Sequence, residues 1–129
     1  AYRKDGYKVL NGSSSTYGTS YDNNDIIGIA MDLDNNRLFF SKNGTFQDSG
    51  DPTSSTGAIT IPTSSSGFYF MGISDEHNNG TNTWEANFGN GYFGTTAISS
   101  EGTNASGIGK FEYDVPAGYT ALSTKGLNE

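Results

Sequence analysis

A chain of 129 residues with a formal charge of −7 and no cysteine is long enough for one independent core, which it must hold without disulfides or thiolate-bound metal. Only 33% of it is hydrophobic and 18 residues are glycine, yet 8 Phe, 8 Tyr and one Trp supply the large buried areas that disordered chains lack. The charge disfavours nucleic acid and anionic membrane surfaces as partners, no apolar run is long enough to insert into a bilayer, and a loop-rich all-β domain fits best.

In chain order, Ala1-Tyr2-Arg3-Lys4 shows no secretory signal; an initial alanine fits a processed piece of a longer chain or the loss of an initiator methionine. Tyr7 and Val9 alternate, predicting a short edge strand from Gly6 to Leu10, and Asn11 to Thr16 is a flexible loop by composition. Asp25 to Gly44 reads as a β-meander. Its apolar run, Ile26 to Leu33, suits a strand buried on both faces, and the polar turn Asp34 to Arg37 leads into an aromatic strand, Leu38 to Ser41. Asn43-Gly44, a favoured hairpin dipeptide, then turns the chain into Thr45 and Phe46.

Gln47 to Gly57 is a polar loop around Pro52, Ala58 to Ile61 a brief strand closed by Pro62, and Thr63 to Ser66 another loop. Phe68 to Ser74 is expected to be an apolar strand inside a sandwich, followed by the polar connection Asp75 to Thr83. Trp84, Ala86 and Phe88 alternate with Glu85 and Asn87, which predicts a half-buried strand with the indole facing inward. Asn90 to Gly109 is irregular and interrupted by Tyr92-Phe93 and Ala97-Ile98; Phe111 to Tyr113 suits a terminal strand and Pro116 to Tyr119 a turn. There is no sustained helical periodicity and no internal repeat.

Chemistry-bearing patterns are sparse. Asp32, Asp34 and Asn36 alternate like the first ligands of a calcium loop, but Arg37 stands where that loop needs glycine and Asn43 where it needs glutamate, so a capped turn is the better reading and no metal is expected. His77, beside Asp75 and Glu76, is the only histidine; no Gly-x-Ser-x-Gly elbow occurs, and Gly102 to Gly109 does not lead from a strand into a helix as a phosphate cradle would. Glu85 points away from the core side of its expected strand, where a carboxylate of a glycan-cleaving pair could lie. Sequons begin at Asn11, Asn43, Asn79 and Asn104, as expected by chance in a chain this rich in Asn, Ser and Thr. No enzyme activity and no cofactor follow from these patterns.

Function is therefore expected in loops: around Tyr17 and Tyr21, Asp48 to Ser55, Glu76 to Asn82, and Asn90 to Tyr92. The ligand-contacting candidates are Tyr17, Tyr21, Asp75, Glu76, His77, Asn78, Asn79, Trp84 and Tyr92, residue types suited to adaptable protein or glycan contacts.

Asp25 through Asp34 followed by Leu38, Phe39, Phe40, Ser41, Lys42, Asn43 and Gly44 resembles the central signature of SPRY domains. Asn87-Phe88-Gly89 resembles that family's late strand. Tyr113 to Leu122, YDVPAGYTAL, with Leu127-Asn128, is similar to the tail of SPRY-like proteins of bacteriophages and prophages. The resemblance implies an antiparallel two-sheet β-sandwich of concanavalin-like form over residues 1–129. It also implies a non-catalytic virion component, such as a capsid decoration, fibre or tail protein on the particle surface. Its partners would be other virion proteins, copies of itself, or a host-surface protein or glycan. A lectin-like carbohydrate binder and a peptide-binding SPRY adaptor are the alternatives. The family has more strands before the meander than this chain holds, so a fragment, strands supplied by another chain, and a reduced fold all remain open.

Overall fold

A computed structural model of the chain describes residues 1–74 and 82–123. Among these residues there is no helix, and every sheet is antiparallel, so the protein is all-β. β1 (Tyr7–Leu10) pairs with β2 (Ser13–Thr16) through Asn11 and Gly12, both at positive φ (50° and 78°) as a type I′ turn requires. The expected loop from Asn11 to Thr16 is thus corrected to a turn and a strand. Its serines carry little strand propensity, and pairing with β1 decides their conformation.

The meander forms as expected. β3 (Ile27–Asp32) pairs along its whole length with β4 (Arg37–Lys42), and Asn43 (φ 48°) and Gly44 (φ 80°) turn β4 into β5 (Thr45–Phe46). A Cβ on Gly44 would come within 2.7 Å of the Tyr113 ring, so space as well as dihedral angle requires glycine there. β6 (Ile59–Thr60) pairs with Arg37 and Leu38, so β5 and β6 occupy opposite ends of one β4 edge while β3 fills the other. β7 (Tyr92–Phe93) and β8 (Thr96–Ala97) make a separate small hairpin.

β4 is the centre of the packing. On one face, Phe40 meets Tyr2 and Tyr17 at ring-centroid distances of 5.5 and 6.2 Å, and Ile59, Leu38 and Ile27 join that cluster. On the other face, Phe39 is fully enclosed, with the Phe46 ring edge-on at 6.3 Å. Further along the chain, Ile108 and Ala121 are buried, and Tyr119 donates its hydroxyl to the Pro52 carbonyl at 3.2 Å, tying the later segments to the 47–57 loop.

Turn chemistry accounts for much of the asparagine content. Asn11, Asn24, Asn36 and Asn43 all adopt positive φ, a region that asparagine tolerates better than most residues. The Asp32 carboxylate accepts from the Asn35 N–H at 3.0 Å and from the Asn35 amide nitrogen at 2.7 Å, the capped turn expected between β3 and β4. These bonds hold the Asp32 carboxyl below its ordinary range.

Four further expectations are corrected. β3 is not buried on both faces, since Ala30 is its one enclosed side chain and Ile29 and Met31 are exposed. Phe68 to Ser74 forms no strand and is exposed, with Phe70 94% accessible. Trp84 to Phe88 forms no strand, and the indole does not face inward. Phe111 to Tyr113 likewise remains outside any strand, following a single bridge between Asn90 and Lys110. Apolar periodicity records which side chains avoid water, whereas a strand also needs a neighbouring backbone in register. Phe68 to Ser74 and Trp84 to Phe88 pair with no strand among the described residues, and the Phe111 carbonyl accepts from the Gly102 N–H at 2.9 Å without that contact extending into a ladder.

Candidate functional site

The residues singled out from sequence separate in space. Tyr17 is buried at 5% exposure, a core position; Lys8 Nζ stands 5.0 Å above its ring. Its hydroxyl accepts the Phe40 N–H at 3.1 Å, on the edge of β4 between β5 and β6, while the Phe40 carbonyl accepts from the Gln47 N–H at 2.9 Å. Burial pushes the Tyr17 hydroxyl pKa up, opposed by that hydrogen bond. Tyr17→Phe is expected to cost about 1–3 kcal/mol, because the buried Phe40 amide loses its acceptor. Urea denaturation measures this, and a loss under about 0.5 kcal/mol would show that water replaces the hydroxyl.

Tyr21 stands between core and surface. Its ring lies 5.3 Å from Tyr2 and 6.1 Å from the exposed Trp84, so Tyr21 and Trp84 are the two candidates that the fold brings together. Tyr92 is apart from them on β7, half-exposed. Asp75, Glu76, His77, Asn78 and Asn79 lie outside the described residues, as do Leu127 and Asn128. Among the described residues, no three histidine, cysteine or carboxylate side chains converge as a metal site would need.

A polar knot fixes the start of β3. The Asp25 carboxylate accepts from the Asp22 N–H at 2.8 Å, from the Asn43 amide at 2.7 Å and from Lys42 Nζ at 3.0 Å. Asn43 Oδ1 in turn accepts the Ile26 N–H at 2.8 Å. These donors, the Asp22 amide first, lower the Asp25 pKa to about 2. Because the folded value lies below the unfolded one, Asp25 contributes stability above the ordinary carboxylate range and loses it as pH falls from about 4 through 2. The melting-temperature deficit of Asp25→Asn should therefore be largest near neutral pH and close towards pH 2. A deficit independent of pH would contradict this.

A broad open cleft encloses about 3250 Å³, several times the roughly 300–1,000 Å³ of small-molecule pockets. Every residue from Ser20 to Asn35 lines it, so it wraps around the outer edge of β3, with Phe68 to Ser74 and Trp84 forming further walls. All the exposed large apolar side chains among the described residues, except Tyr7 and Tyr92, line this one cleft. The cause lies in the sheet. Ile29 and Met31 share a face with Phe40 and Leu38, but the tyrosine cluster that covers β4 leaves them exposed.

Sequence reasoning did not single out this apolar wall, although Ile29, Met31 and Leu33 carry the period-two signal of one strand face. Nor did it single out Gln47, which is 7% exposed and joins three segments by hydrogen bonds. Comparisons with protein-family models, curated proteins and solved structures find no match for the chain.

Proposed function

We propose that this chain is a non-catalytic binding and assembly module, a structural component on the surface of a bacteriophage virion, carried on a SPRY-like two-sheet sandwich. The observation that carries the assembly reading is the concentration of exposed apolar side chains in one cleft. Taking a full large side chain as about 150–250 Å², Phe68, Phe70, Ile29, Met31, Leu33 and Trp84 together leave on the order of 700 Å² open. That exceeds the roughly 300–600 Å² typical of a monomer's largest patch and approaches the roughly 800 Å² per partner of a stable interface. The virion step rests on the sequence resemblance, through Asp25 to Gly44 and the tail from Tyr113 to Leu122. Immunogold labelling and density-gradient sedimentation of native particles test it. Regular labelling and co-sedimentation are expected, and a free soluble monomer in the native source would overturn it.

A second reading, carbohydrate binding, is favoured by the exposed Trp84 held edge-on against Tyr21, an aromatic surface on which a sugar could stack. Binding on a glycan array that disappears in Trp84→Ala would support it, and an array without signal would remove it.

A further inference from the structure

We propose that the outer edge of β3 is a docking site for an extended segment of another protein, one with alternating apolar side chains and basic flanks. The inference rests on reading the chain as a binding module and specifies what that module takes.

The backbone sets the geometry. The Asn43 N–H donates to the Ile26 carbonyl at 2.8 Å, which fixes the phase of the β3–β4 ladder. Gly28, Ala30 and Asp32 thus direct their N–H and C=O groups towards β4, and Ile27, Ile29 and Met31 direct theirs away from it. The opposite edge of β4 obeys the same phase, as Gln47 N–H donates to Phe40 O at 2.9 Å and Ile61 N–H to Asn36 O at 3.0 Å. Among the described residues, β3 has no second strand partner, so Ile27, Ile29 and Met31 offer an unpaired edge to the cleft. Such an edge is a template for strand addition, in which main-chain hydrogen bonds supply affinity and alternate side chains enter the flanking pockets.

The charges select the occupant. Acidic side chains outnumber basic ones two to one along the cleft. Most of the basic ones are already matched: Lys42 with Asp25, Arg3 with Asp5 and Lys4 with Asp22. The carboxylates of Asp32, Asp34 and Glu85 remain in excess over Arg37, and Asp34 stands just past the end of β3. A strand with lysine or arginine at its ends complements this rim, whereas a second copy, at −7, is repelled by it.

Isothermal titration calorimetry of the whole chain tests the proposal, using a short synthetic peptide of alternating valine and threonine with two lysines at each end. Binding is expected, weakened about tenfold or more when the peptide's edge-facing amides are N-methylated or its lysines become glutamates. Ile29→Pro should weaken it to a similar degree, because the Ile29 N–H faces the free edge and takes no part in the β3–β4 ladder; Ile29→Val should retain binding. Absence of binding, or equal affinity for the N-methylated peptide, would overturn the proposal; so would a dimer of the chain that closes this edge to the peptide. The N-methylated peptide is tested on the unaltered chain, so the result stands even if Ile29→Pro fails to fold. Particle association without peptide binding would sink this inference alone, and peptide binding by a free monomer would sink the virion reading alone.

Discussion

Replacing Phe39 with alanine is expected to destabilise the domain by about 3–5 kcal/mol, the largest single effect foreseen for this chain. Phe39 is the one large side chain among the described residues with no exposure, and it sits opposite Ala30 across the β3–β4 pair. The Phe46 ring stands edge-on to it, and a Cβ added to Gly50 would lie 3.3 Å from its ring, so its surroundings are already close-packed. Truncation removes the transfer free energy of the ring and leaves a cavity that two paired strands cannot close. With about 5–15 kcal/mol available to a typical domain, the variant would lose much of its stability. Urea denaturation followed by tryptophan fluorescence gives the difference. A midpoint shift equivalent to under about 1 kcal/mol would mean that this face of β4 is not a packed core.

Gln47→Leu should cost about 2–4 kcal/mol although it adds no charge and nearly conserves volume. Gln47 Oε1 accepts from the Thr19 N–H at 2.8 Å and the Thr19 hydroxyl at 3.1 Å, and Gln47 Nε2 donates to the Thr45 carbonyl at 2.8 Å. The Tyr2 hydroxyl stands 3.5 Å from the same Oε1 and donates to the Thr19 carbonyl. Leucine would leave the Thr19 and Thr45 groups without these partners in a partly buried site, losing their hydrogen bonds without restoring full hydration. Because Tyr2 and Gln47 meet at Thr19, a double-mutant cycle of Tyr2→Phe with Gln47→Leu should be non-additive by about 0.5 kcal/mol or more. Additive losses would show that the two side chains act independently.

The elements legible in the sequence were those set by local chemistry. Asn43-Gly44 announced its hairpin because few residues other than Asn and Gly adopt positive φ at both turn positions without strain. Asn11-Gly12 carries the same signal, but the serines and threonine after it matched a loop by composition, and β2 was missed. The tyrosines divided according to neighbours remote in sequence. Tyr17 is core because its hydroxyl meets an open position on β4, whereas Tyr21 reaches the surface beside Trp84. The candidate site was legible only in its ingredients, the apolar residues of Ile26 to Leu33 and Phe68 to Ser74, which read as buried strands.

By itself the sequence determined the all-β class, the β3–β4–β5 meander and its turns, since side-chain alternation and backbone dihedral preferences act between residues a few positions apart. The tertiary structure alone decided that Gln47 is a buried hub, that Phe39 rather than Trp84 fills the core, and that among the described residues β3 keeps an open edge and an uncovered apolar face. Burial depends on which distant segments arrive to exclude water, and a residue's own chemistry sets how much it gains from being covered but not whether a partner is there to cover it.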